Sequence, residues 1–191
     1  MSQRSRPGQA RGRVLAAALD LFSRHGVSGT SLQMIADEIG VTKAAVYHQF
    51  PCKDDIVHAV IAPALEQLGR VTAEAERLRG RSARAEAVLA GIVDLVVRNR
   101  RLTAVMHSDP AILDPLFRTP QMQELERRVF ELLAGPDPDA EALTATVMIS
   151  GGLMVATTSP FLEGFDEDAL RAHLLSNARR LLRLRPPAAR S

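Results

Sequence analysis

Aromatic side chains are scarce in this 191-residue sequence, with six Phe, one Tyr and no Trp. A single cysteine, Cys52, excludes an intramolecular disulfide framework and gives no sign of secretion. No stretch reaches the ~18–20 uninterrupted apolar residues of a membrane span, and the start is polar and basic without an apolar signal core. A cytoplasmic protein with no membrane partner is the expectation. Lysine is nearly missing, with only Lys43 and Lys53, a bias we read as genome composition. Strand patterns are almost absent. The five His are scattered, with no HExxH, no Gly-rich phosphate loop and no Ser or Cys nucleophile beside an evident base. His48 and Cys52 stand four apart, but Pro51 breaks the helix between them and a metal site needs more ligands. The sequence therefore predicts no enzyme, no metal and no cofactor.

What the chain has is apolar helical periodicity from end to end, with 46% hydrophobic residues. An all-α fold of about nine helices follows. Charge is uneven: residues 1–53 hold seven Arg and Lys against three acids, although the whole chain carries only +2. A basic head on a near-neutral body suits a polyanion at one end.

The informative stretch is Thr30–Phe50, which reads as two short helices turning at Gly40-Val41. Thr30 and Gln33 have capping-box spacing, and Leu32, Ile35, Ala36 and Ile39 form one apolar face. Gly40 suits the left-handed helix end, and Thr42 caps a second helix with Val46 and Phe50 inside. Lys43, Ala44, Tyr47 and His48 are left outside, a cationic surface without carboxylates that suits a major groove. An ordinary antiparallel helix pair fits the same pattern.

Residues 1–8, with Arg4 and Arg6, are expected as a disordered basic arm, either on DNA or simply solvated. A first helix over 9–25 buries Val14, Leu15, Ala18, Leu19 and Phe22 and stops at Gly26. Pro51 ends the recognition helix, and Asp54 and Asp55 open the next. That helix reaches about Gly80, and Pro63 either kinks or ends it. Further helices are expected over Ala83–Leu102, in short pieces over Leu102–Phe117 broken at Asp109-Pro110 and Asp114-Pro115, from Thr119-Pro120 to Ala134, and from Asp139 to Thr158. The last begins after Gly164, and a disordered tail follows from Pro186.

The run LAAALDLFSRHGVSGTSLQMIADEIGVTKAAVYHQFPCKDDIVHAVI resembles the DNA-binding domain of the TetR family of transcriptional regulators. The apolar first helix ending in LF, the Gly before the turn, Thr-Ser opening the second helix with Ile-Ala inside it, Gly-Val-Thr-Lys-Ala, and Tyr with Phe-x-x-Lys carry the likeness, over roughly residues 9–60. Cys52, where Ser or Asn is common, and His48-Gln49 depart from the pattern, which leaves operator contacts there open.

The resemblance implies a helix-turn-helix domain over 9–52 and a helical ligand-binding and dimerisation domain over 53–185. It implies double-stranded DNA as partner through Thr30, Ser31, Thr42, Lys43, Ala44, Tyr47, His48 and Lys53, with Tyr47 and Lys53 on phosphates. It also implies a homodimer pairing the last two helices, through Ser150, Gly151, Gly152, Met154, Leu174, Leu175 and Ala178. The uncharged helix around Ser150-Gly151-Gly152 is apolar all round and so expected to be covered on all sides. Met106, His107, Phe117, Met122, Phe130, Met148 and Thr157 are candidates for a pocket holding a small apolar or amphipathic effector; methionine as core filler is the plainer reading. A ligand-released repressor on a palindromic operator is the leading expectation. A constitutive DNA-binding dimer is the alternative, and an enzyme or lipid carrier that kept the head is a third reading.

Overall fold

Helix α1 (Pro7–His25) buries Val14, Ala18 and Phe22 fully and ends at Gly26, whose φ of 72° is left-handed. The structure, a computed structural model, describes residues 7–108 and 118–184. Arg4 and Arg6 of the expected arm, Phe117, the two Asp-Pro breaks and the tail from Pro186 lie outside the described residues. Pro7 and Gly8, expected in that arm, are already helical.

Next come α2 (Leu32–Ile39), α3 (Lys43–Gln49) and a long α4 (Lys53–Glu76). Pro63 lies inside α4, which ends near Glu76 rather than Gly80 and is not broken by the proline. The body continues with α5 (Arg81–Arg98) and α6 (Arg100–Ser108). The expected single helix to Leu102 is interrupted at Asn99, whose amide donates to the Leu95 carbonyl at 2.7 Å and whose own carbonyl accepts from the Thr103 amide. Then come α7 (Pro120–Ala134), with Pro120 at its first position, α8 (Ala140–Thr158) capped by Asp139, a 3-10 turn at Pro160–Leu162, and α9 (Glu167–Leu181) capped by Asp166. Nine α-helices and no strand occur among the described residues.

Two apolar clusters organise these elements. The head cluster joins α1, α2 and α3 through Phe22, Ile35, Val46 and Phe50, and extends into Ile56, Val57 and Ile61 of α4. Leu102 and Val105 of α6 belong to it as well, because α6 packs back on α1. The 52/53 boundary expected from sequence thus cuts through one continuous core. The body cluster gathers Val88, Leu89, Val93 and Val97 of α5 with Leu133, Ile149, Leu153 and Leu170. Helices α4 and α5 meet closely at Gly91, where an added Cβ would lie 2.2 Å from Val71 Cγ1.

Ion pairs stitch the body helices. Arg179 holds Glu86 across α9 and α5, and Arg128 donates to both Glu76 oxygens at 2.7 and 2.6 Å. Those hydrogen bonds, more than the charge itself, hold the Glu76 carboxyl below its usual range. A depressed carboxyl stabilises the fold above its ordinary unfolded value and loses that contribution as pH falls through the folded one. Glu76→Gln should therefore cost stability at neutral pH, by at most about 1 kcal/mol for so exposed a pair. Urea denaturation should show that difference closing as the pH is lowered below about 4.

Candidate nucleic-acid interface and body cavity

The second helix of the turn is aimed by what it buries. Val46 and Phe50 are 0% and 1% exposed, so the opposite face of α3 must point outward. Thr42 Oγ1 accepts from the Ala45 amide at 3.2 Å, and Gly40, at φ 68°, closes α2 by donating to Ala36 and Asp37 carbonyls. Thr42, Lys43, Ala44, Tyr47 and His48 are all exposed, together with Ala45, which sequence reasoning did not select.

The cations nearby are mostly committed. Arg11 lies 4.3 Å over the Phe50 ring, Arg13 donates to the Ile39 carbonyl, and Arg24 pairs with Asp20 and Glu38. Lys53 Nζ donates to the Val27 and Thr30 carbonyls at 2.7 and 3.1 Å. Lys43 is left with no intramolecular partner among the described residues. One of the two lysines is thus a clasp and the other is free.

Two expected contacts therefore change role. Thr30 is 2% exposed and its hydroxyl donates to the Gly26 carbonyl at 2.8 Å, so its side chain is unavailable to DNA. Ser31, not Thr30, is the N-cap, accepting from the Met34 amide at 3.2 Å. The Lys53 ammonium, expected on phosphate, instead ties the loop before α2 to the start of α4. Lys53→Met should weaken operator binding while leaving the slope of log K against log salt unchanged. A phosphate-bound lysine would lower that slope by about one per subunit, and a salt titration reads the difference.

In the body, a cavity of about 370 Å³ opens between five helices. Helix α4 contributes Ile61, Ala64, Leu65 and Leu68, and α5 contributes Ile92, Leu95 and Val96. Met106 and Met122 line it as expected. His107 is exposed, Met148 is 57% exposed, and neither they nor Phe130 reach the lining. Thr157 is buried with its hydroxyl donated to the Leu153 and Met154 carbonyls. Sequence reasoning missed Leu102, Thr103 and Asn99, which face the cavity only because the chain breaks at Asn99.

The expected dimer residues also divide. Leu174 and Ala178 are 9% and 4% exposed and belong to their own chain's core. Leu175 is half-buried against that core, and Ser150 and Met154 line the cavity. Gly151 and Gly152 are exposed, and a Cβ at either would meet nothing within 4 Å. They sit in an open stripe with Val147 (62% exposed) and Val155 (49%), so a single chain does not cover α8 on all sides. This helix is long and apolar enough, by length and composition, to cross a membrane. Its hydroxyls are turned to its own backbone: Thr144, Thr146 and Ser150 each donate to the carbonyl four residues back.

Residues 14–60 match the family model described as bacterial regulatory proteins, tetR family. The transcriptional regulator RutR of Escherichia coli K12 is 42% identical over 53 residues, 28% of this chain and 25% of that protein. SrpR of Pseudomonas putida is 43% identical over 54 residues, with the same coverage. The chain thus matches about a quarter of the length of these curated relatives. The ketosteroid transcriptional regulator KstR2 of Mycobacterium tuberculosis superposes with a TM-score of 0.70 at 16% identity, covering 90% of this chain and 92% of that one. A TetR-like regulator from Rhodococcus sp. RHA1 gives 0.71 at 20% identity, covering 95% and 100%. These two likenesses are of fold alone. Residues 14–60 thus belong by sequence to the tetR family of bacterial regulatory proteins, and the chain that carries them has the fold of the regulators it superposes on.

Proposed function

We propose that this chain acts in the cytoplasm as a homodimeric repressor, binding a palindromic operator and released from it by a small apolar or amphipathic effector. Ser31, Thr42, Lys43, Ala44, Tyr47 and His48 carry the operator contacts, with Lys43 and Ala44 nearest base edges and Tyr47 on phosphate. Two copies pair through the open α8 stripe, aided by α9, so that two recognition helices reach successive major grooves.

The observation that carries the effector part is a shared wall. Ile61 and Leu102 belong to the head core and also line the body cavity, and Ala64, Leu65 and Met106 pack against that core from the cavity side. A molecule that fits the cavity better when α4 and α6 shift must move the head with them, because the same side chains serve both. The cavity itself favours this reading over a constitutive dimer, for which a filled body would serve. Selection of bound fragments from the genome of origin tests the proposal. It predicts a recurring inverted repeat whose binding weakens when the cavity is occupied; recovery of unrelated fragments at equal affinity would defeat it.

A further inference from the structure

The cavity has a chemical character beyond its size. Apart from Asn99, Thr103, Glu126 and Ser150, its described lining is aliphatic or thioether, with no aromatic ring, so nothing there offers a stacking surface to a planar ligand. Met106, Met122 and Met154 are adaptable side chains that follow a flexible chain better than a rigid shape. At about 370 Å³, and roughly 30 Å³ per methylene-sized group, the space takes a chain of ~12 heavy atoms.

Its polar groups have mostly spent their hydrogens. Thr103 Oγ1 donates to the Asn99 carbonyl, Ser150 Oγ to the Thr146 carbonyl, and Asn99 Nδ2 to the Leu95 carbonyl. Lone pairs are what these groups have left to offer, with one further amide hydrogen on Asn99. No Arg, Lys or His is among the described lining residues. Glu126 is the one charged residue there, and it is exposed. Its neighbours Glu124 and Glu131 share the single Arg127, one cation against two carboxylates, so no surplus positive charge on that stretch of α7 offsets Glu126. Glu126 has no ion-pair partner among the described residues. An anionic head would give up water for a site almost without donors. A cationic one would meet acceptors and a free carboxylate.

We infer that the cavity takes an aliphatic amphiphile with a cationic head, its alkyl chain among the methionines and its charge at Glu126. This rests on the effector reading above and names its ligand class. The exposed carboxylate sets the scale of the preference, about two- to fivefold for a cation over a neutral head of equal chain length. Calorimetric titration of the full chain with decyltrimethylammonium, decanol and decanoate, each below its micelle-forming concentration, tests it. The ammonium should bind tightest and decanoate weakest, by tenfold or more. Glu126→Gln, an exposed substitution that leaves the core intact, should erase the preference of ammonium over decanol and leave decanol unchanged. Decanoate binding as well as the ammonium overturns the cationic class, a preference that survives Glu126→Gln overturns the seat of the charge at Glu126, and either result leaves the effector reading standing. If none of the three binds, this inference falls, and the effector reading rests on the operator test above.

Discussion

Replacing Lys43 and Tyr47 together by alanine should abolish operator binding and leave the melting curve almost unchanged. Tyr47 is 56% exposed, and Lys43 is exposed with no described intramolecular partner, so neither holds the head together. Their loss removes two contacts from each subunit, four in a dimer. At about 1 kcal/mol or more per contact, that is roughly a thousandfold in Kd. Fluorescence anisotropy with labelled operator and thermal melting by circular dichroism read the two quantities separately. Retained affinity would move the interface off α3. A collapsed melting curve would mean that these side chains support the fold instead.

A second large effect is expected from Val147→Glu. In one chain Val147 is 62% exposed, and a glutamate there would simply be solvated. In a dimer paired through α8, two-fold symmetry brings two carboxylates into the same apolar contact. An unpaired buried charge costs several kcal/mol, so the dimer should dissociate while each chain stays helical. Operator affinity should then fall by at least a hundredfold, since a lone head makes half the contacts. Sedimentation velocity would show the loss of the dimer, and Val147→Ala should retain it. A dimer unaffected by Val147→Glu would place the interface elsewhere.

The head was legible because each of its features is local. Gly40, Thr42, Val46 and Phe50 lie within eleven residues, and their order encodes turn, cap and buried face together. Legibility faltered where two neighbours offered the same chemistry: Thr30 and Ser31 both carry hydroxyls, and the Gly26 carbonyl decides that Thr30 turns inward. Lys53 shows a different limit, since a charge in a sequence does not name its partner. The Val27 and Thr30 carbonyls that hold it come from 26 and 23 residues earlier.

In the body the difficulty was one of direction. Helix α8 is apolar on every side, so periodicity could not say which face meets its own chain and which is left open. Leu174 and Ala178 looked equally suited to a partner helix, yet they complete the core of their own chain. Of the expected residues that are described, the cavity drew only Met106 and Met122, because its walls come from five helices and depend on the break at Asn99. About nine helices and a turn closed by Gly40 and capped by Thr42 were readable; the packing of α6 against α1, which joins cavity to head, was not.

We propose that two copies of this chain read one inverted repeat and let go when the body cavity fills. Footprinting on a selected fragment, with the chain-to-duplex ratio measured in the same sample, addresses it most directly. Two chains per duplex should protect two inverted half-sites about one helical turn apart, roughly 10 base pairs centre to centre, and protection should fade as decyltrimethylammonium is added. A single protected half-site bound by one chain would overturn the two-headed reader.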